Sequence, residues 1–340
     1  MNIRFLGPKA GGQVGGIESA MNGLSQALQN LGVSVIPTAD VKDAEAVHHF
    51  HGLWNFNNSK LGQCLRLHKR SYVVSPHGML EPWAFRHRGW KKIPYFWLVE
   101  RGFLLGAKRV FVTSRMESDN FRLILPQVPV EVLPLGCIDR RGPDFKGARQ
   151  RLGWGKDEKV LLFLSRIDKK KGLDLLLAAL NGRSDWSGWR LVIVGDGDPD
   201  YLASLKDSVD KANRNLPRIE WIGPIWGEAR WAYLQGSDLL CLPTYSENFG
   251  LVVLEALHVG TPVLTTDQTP WVDDRGLQGL FIAKPNVLSI QAELLNARTM
   301  LARGWLDSDR KSLALWAADK FSWHLLGPSY TAAYRRALSS

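Results

Sequence analysis

The stretch SENFGLVVLE, residues 246–255, sets Glu247 just ahead of an apolar run and Glu255 inside it. A carboxylate among Leu251, Val252, Val253, Leu254, Ala256 and Leu257 needs a partner, because an unpaired buried charge costs several kcal/mol or shifts its pKa. On one helix the two glutamates stand eight residues apart, about 12 Å along the axis. A carboxyl pair that shares a catalytic proton or water spans roughly 5 to 9.5 Å, so the spacing fits the two ends of one extended ligand better. Ser246 or Asn248 is expected to cap the following helix. Gly250 admits a ligand to the backbone, and the N–H groups of Phe249, Gly250 and Leu251 would cradle a phosphate. Taken alone, Glu247 would be a surface loop residue and Glu255 a partly exposed helix residue. A second constellation stands in SRIDKKKGLDLLL, where a strand ending at Ser165 leads to Arg166 and a short loop delivers Lys171 and Gly172 to the next helix. Two fixed cations beside a helix N-terminus make a diphosphate clamp. Lys169 and Lys170 read as a solvated loop.

These groups need a scaffold, and the hydropathy pattern supplies one. Short apolar runs alternate with longer amphipathic ones, the pattern of parallel sheets with crossover helices. In the first half strands are expected at 3–6, 46–50, 72–75, 109–113 and 130–133, and helices at 17–31, 59–69, around 91–104 and at 114–123. The loop 134–147 is rich in Pro, Gly and charge and reads as a linker. Strands then follow at 159–165, 190–194, 219–222, 239–242 and 262–265, with helices at 172–180, 199–213, 228–235 and 250–259. The chain has 340 residues, and at about 150 per domain that suggests two. The expectation is an α/β chain of two Rossmann-like domains, 1–138 and 139–320, facing across a cleft, with ligands at the carboxyl ends of the strands.

Composition narrows the class. Hydrophobic residues make up 45% and charged ones 22%, which suits a globular protein. No apolar run reaches the roughly 18 residues that span a bilayer. MNIRFLGPKAGG lacks the apolar core of a signal peptide, so a cytoplasmic location is expected. Cys64, Cys137 and Cys241 are far apart with no C-x-x-C and read as reduced thiols. The net charge is +10, and between Lys60 and Arg101 nine cations face only Glu81 and Glu100, which predicts an anionic partner. Segment 81–103 mixes these cations with Trp83, Phe85, Trp90, Tyr95, Phe96 and Trp97. It suits an anionic membrane surface, or equally an amphipathic helix whose aromatics are core. No nucleic-acid-binding motif is present.

Together the two motifs resemble the retaining GT-B glycosyltransferases of family 4, the group 1 transferases. The family's E-x7-E motif stands as Glu247–NFGLVVL–Glu255, running on into EALHVGTPVLTT, and its R-x4-K-G pattern as Arg166–IDKK–Lys171–Gly172. LVIVGDGDPDY, with Gly195, is similar to the strand and turn beneath the nucleotide, and IEWIGPI, with Ile225, to the segment lining the base. GGQVGGIESAMNGL resembles the N-terminal glycine loop, with Gly15 and Gly16 near the diphosphate or acceptor; a plain strand-to-helix turn is the alternative. It does not satisfy G-x-G-x-x-G, which weakens a nicotinamide-dependent oxidoreductase reading. His77, after a strand in VVSPHGML, matches a family histidine close to the donor sugar. FSWHLLGPSYTAAYRR, within 321–340, resembles the last helix, which crosses back to the N-terminal domain.

The resemblance implies that Glu247 holds hydroxyls of the donor sugar, Glu255 those of the ribose, and Arg166 and Lys171 the departing diphosphate. It implies retaining transfer of a hexose from a nucleotide-diphosphate sugar, UDP rather than GDP, to a hydroxyl on a glycan, glycolipid or lipid-linked saccharide. Neither metal nor cofactor is expected. Asp196, Asp198 and Asp200 mimic a metal-binding D-x-D, but the cations already supply the charge, so they read as a turn. His48, His49 and His51 crowd a strand end, where acceptor recognition is expected before metal. The alternative is a non-catalytic carbohydrate- or membrane-surface-binding protein on the same fold.

Overall fold

The structure, a computed structural model, describes residues 1–7, 16–86, 89–137, 142–182, 184, 186–212 and 216–339. The chain forms two compact units, one of Met1–Ile138 with Phe321–Ser340 and one of Asp139–Lys320.

In the first unit β1 (Asn2–Leu6), β2 (Ser34–Ile36), β3 (Ala46–His51), β4 (Tyr72–Ser75), β5 (Arg109–Val112) and β6 (Val130–Val132) form one sheet in the order β2-β1-β3-β4-β5-β6. In the second, β7 (Lys159–Leu164), β8 (Trp189–Val194), β9 (Arg218–Gly223), β10 (Leu239–Cys241), β11 (Val263–Thr266) and β12 (Leu280–Ala283) form another in the order β12-β11-β10-β7-β8-β9. Every pairing between these strands is parallel. The fold is therefore α/β with two Rossmann-like sheets, as the alternation of apolar runs implies. Ten strands lie where the apolar runs place them. β2 and β12 are the two strands not expected from the sequence.

Val160 to Phe163 of β7 are fully buried, as both-face cover of a parallel strand demands. The order of the second sheet reverses between β7 and β10, paired at Leu239↔Leu161 and Leu240↔Leu162. This pair is fastened at both ends. At its amino end the buried Asp238 carboxylate accepts the Val160 N–H at 2.8 Å and pairs with Arg149 at 2.6 Å. At its carboxyl end the Lys170 carbonyl accepts from the Thr244 hydroxyl and the Tyr245 N–H, each at 2.8 Å.

Three local expectations are corrected. The helix after the glutamate motif is Leu251–His258, and the residue before it is Gly250 in the left-handed region, φ 76°, with no side-chain cap. Neither Ser246 nor Asn248 caps it, because a left-handed residue already turns the chain. The loop 134–147 gives way to the helix Phe145–Leu152, started by Asp144, whose carboxylate accepts the Gly147 N–H. The histidines of β3 do not crowd a strand end: His48 and His49 lie within a strand buried along its whole length, and only His51 ends it.

Candidate functional site

In the second unit the chain turns just past β7 and β10 carry the groups singled out from the sequence. Beyond β7, Asp168 caps a 3-10 turn, Lys169–Lys171, and Gly172 ends it at φ 73°. A Cβ at Gly172 would stand 2.0 Å from the Pro243 carbonyl oxygen, so only glycine lets the two loops meet. Gly195 has the same role beyond β8: its φ is 144°, and a Cβ there would stand 1.9 Å from the Ser165 carbonyl oxygen.

Lys171 Nζ donates to Glu247 Oε2, both side chains being nearly buried. Burial alone would raise the Glu247 carboxyl, but the charges of Lys171 and Lys170 outweigh it and hold the pKa below the ordinary value. The Glu247 backbone is fixed by its N–H on the Gln268 carbonyl at 3.0 Å. Phe249 is anchored by Trp271, whose indole N–H donates to the Phe249 carbonyl at 2.7 Å. Past these anchors the N–H groups of Gly250, Leu251 and Val252 have no acceptor among the described residues. The Arg166 side chain is exposed and makes no ion pair or hydrogen bond to a described residue; its carbonyl accepts the Asp168 N–H at 3.1 Å. One balanced ion pair, one uncommitted cation and an open helix N-terminus therefore share one end of one sheet, at its switch point. That combination binds anions and polar hydroxyls.

Glu255 lies within the helix and is 7% exposed. The chain itself supplies its partner, since Arg230 Nη2 donates to Oε1 at 2.7 Å. Burial still dominates and lifts the Glu255 pKa to about 7, the Arg230 charge opposing it. Nothing in GEARWAYLQG singled out Arg230; its place in the helix Ala229–Gly236 becomes meaningful only once that helix packs beside Leu251–His258. Ile225 is half-buried in the turn after β9, and Asn248 is half-buried beside Glu247. Asp198 is the N-cap of the helix Pro199–Asp210, its carboxylate accepting the Tyr201 N–H at 3.0 Å, which is the turn expected of the aspartate run.

In the first unit His77 follows β4 in the left-handed region, φ 51°, and Gly78 follows it at φ 73°. Two such residues in succession need holding. The buried carboxylate of Glu117 does so, accepting the Gly78 N–H at 2.6 Å, the Thr113 N–H at 2.7 Å and the Thr113 hydroxyl at 2.9 Å. Ser114-x-x-Glu117 is a capping box legible in the sequence, and the Ser114 hydroxyl accepts the Glu117 N–H at 3.1 Å.

His77 Nε2 lies 3.0 Å from His51 Nδ1. His49 bridges the Ser75 hydroxyl at 2.8 Å and the Tyr334 hydroxyl at 2.6 Å. Burial depresses all three imidazoles, His77 to about 4, so they are neutral at pH 7. Tyr334 comes from the final helix, Trp323–Ser339, as does Tyr330, which donates to the Leu133 carbonyl at 2.9 Å. Gly16 is exposed at the start of the helix Gly16–Asn30. Gly15 lies outside the described residues.

Residues 144–295 match the family described as Glycosyl transferases group 1, and residues 41–136 match the Glycosyl transferase 4-like domain. The chain is 30% identical over 242 residues to the D-inositol 3-phosphate glycosyltransferase of Mycobacterium marinum, covering 68% of this chain and 48% of that protein. It thus spans about half the length of the curated relatives it matches. Among solved structures, sucrose-phosphate synthase from Thermosynechococcus elongatus superposes with a TM-score of 0.81 at 18% identity, covering 99% of each chain. HepE of Anabaena, solved with UDP and glucose, superposes with a TM-score of 0.73 at 17% identity, covering 98% of this chain and 99% of that one. The two matched stretches together take in most of the chain, the solved structures share its fold, and the chain belongs to the GT-B glycosyltransferases of family 4, the group 1 transferases.

Proposed function

We propose that this chain is a retaining hexosyltransferase that moves a sugar from a nucleotide-diphosphate donor, UDP rather than GDP, to a hydroxyl of a glycan, glycolipid or lipid-linked saccharide. The observation that carries this reading is the Lys171–Glu247 pair beside the uncommitted Arg166 and the open N–H groups of Gly250 and Leu251. A donor has the matching polarity: Lys171, Arg166 and the helix N-terminus face the diphosphate, while Glu247 accepts hydroxyls of the sugar. Charge on the diphosphate grows as the bond to the sugar breaks, so cations fixed there stabilise the transition state more than the bound donor. Glu255 takes the ribose hydroxyls and His77 the donor sugar. No nucleophile stands out opposite the leaving group, and retention then follows a front-face path in which the departing phosphate takes the acceptor proton. Catalysis rests on positioning and charge.

The relatives support the donor class. HepE was solved with UDP-glucose, and the mycobacterial relative is named for a phosphorylated inositol acceptor. The reaction is placed in the cytoplasm with no cofactor beyond the donor, and with side-chain cations doing what a metal does elsewhere.

Calorimetric titration of UDP, GDP, ADP and NAD with EDTA present tests this. UDP should bind tightest, Glu255→Ala should weaken it about tenfold or more, and Arg166→Ala and Lys171→Ala should each lower kcat by at least about a hundredfold. Absence of any nucleotide binding would hand the fold to a non-catalytic binding role, and near-normal turnover in both cation variants would remove the clamp.

A further inference from the structure

The helical run 89–106 of the first unit shows its apolar stripe to solvent. It consists of the helix Gly89–Tyr95, a single π turn Phe96–Glu100, and the helix Arg101–Gly106. Its inward face holds Phe96 and Phe103 in the core. The same face carries Glu100, whose carboxylate accepts the Trp54 N–H at 2.9 Å and the Ser59 hydroxyl at 3.2 Å. Its outward face carries Trp90, Ile93, Pro94, Trp97 and Leu98, spaced i, i+3, i+4, i+7 and i+8, the spacing that normally marks a core-facing stripe. Here Trp90 is 75% exposed, Trp97 61% and Leu98 83%. Of the aromatics of segment 81–103, Phe85 and Phe96 are core while Trp90 and Trp97 are surface. The two readings open at the sequence level thus divide by residue.

The charges beside this stripe have one sign. Lys91 Nζ lies 4.7 Å from the centre of the Trp90 ring, and the Arg101 guanidinium lies 5.5 Å from that of Trp97. Residues 82–99 contain no Asp or Glu. The flanking Glu81 and Glu100 are both buried, Glu100 on the inward face against Trp54 and Ser59.

We propose that this face lies in the headgroup layer of an anionic lipid bilayer. Tryptophans flanked by cations match the boundary between acyl chains and anionic headgroups. A second copy of the chain fits poorly, because a two-fold contact would set Lys91 and Arg101 among their own duplicates. No helix among the described residues is long and apolar enough to cross a membrane, so the run lies on the surface of the bilayer. The proposal does not depend on the donor chemistry, and its test is separate.

The full chain is sedimented with vesicles of phosphatidylcholine alone and with 30 mol% phosphatidylglycerol. Binding should be confined to the anionic vesicles and fall with added salt. The triple variant Trp90→Ser, Trp97→Ser, Leu98→Ser should bind at least about tenfold more weakly, and Lys91→Glu about fivefold. Leu123→Ser, at another exposed apolar residue, should bind as the parent does, and unchanged thermal unfolding shows that each variant is folded. Equal binding to both vesicle types, no binding to either, or full binding by the triple variant would overturn the proposal. So would self-association in sedimentation velocity that the triple variant abolishes, which would assign the face to a second copy.

Discussion

The two glutamates of the E-x7-E motif sit in one short segment and have opposite electrostatics. Glu247 is held ionised by Lys171, whereas Glu255, buried with Arg230 beside it, keeps its proton to about pH 7. The folded chain therefore binds more protons than the unfolded chain between the ordinary carboxyl pKa, about 4.5, and about 7, and stability contributed by Glu255 is lost as pH rises through that window. Glu255→Gln removes this titration. Relative to the parent, the variant should gain on the order of 2 kcal/mol between pH 4.5 and pH 8 in urea unfolding; a constant difference across that range would show that Glu255 titrates normally. If ribose hydroxyls donate to this carboxylate, they favour its ionised form. Nucleotide affinity should then rise with pH through about 7 and lose that dependence in Glu255→Gln.

Elements place these residues through backbone contacts that leave no room for a side chain. Gly172 and Gly153 both lie in the left-handed region, φ 73° and 66°, but a Cβ at Gly172 would meet the Pro243 carbonyl at 2.0 Å while one at Gly153 would meet nothing within 4 Å. Gly153→Ala should thus cost about 1 kcal/mol of conformational strain. Gly172→Ala should cost roughly 2 to 4 kcal/mol, because the β7 and β10 loops must part, and urea midpoints of the two variants compare them directly. Equal midpoints would show that the loops yield freely. Physics limits what can be read here from sequence. Alternating apolar runs expose strands, and the R-x4-K-G and E-x7-E spacings expose the charged groups. Strand order is not written locally, so the Lys171–Glu247 pair, 76 residues apart, emerges only when β10 lies beside β7. Arg230 is hidden for the same reason, its partner Glu255 lying on another element; the capping box of Glu117 is local and legible, but its hold on the Gly78 turn is not. The π turn after Pro94 is hidden differently: proline signals a break, but not the wide turn Phe96–Glu100 that follows it.

At the scale of the whole chain, the charged groups assigned to the donor, Arg166, Lys171, Glu247 and Glu255, all belong to Asp139–Lys320. The histidine cluster and the exposed tryptophan stripe belong to the other unit, which the chain leaves near residue 138 and re-enters near 321. Each unit has its own parallel sheet and buries its own strands, so heat should unfold the chain in two steps. A ligand stabilises only the part that binds it, by about 2.7 kcal/mol at a hundred times its Kd. Saturating nucleoside diphosphate should then raise one calorimetric transition by several degrees and leave the other in place. Gly172→Ala should lower that same transition, which identifies it as the Asp139–Lys320 unit without reference to nucleotide. A single transition displaced as a whole by both ligand and variant would show instead that the chain unfolds as one cooperative body. Two transitions shifted equally by nucleotide would place part of the nucleotide site on residues of the first unit.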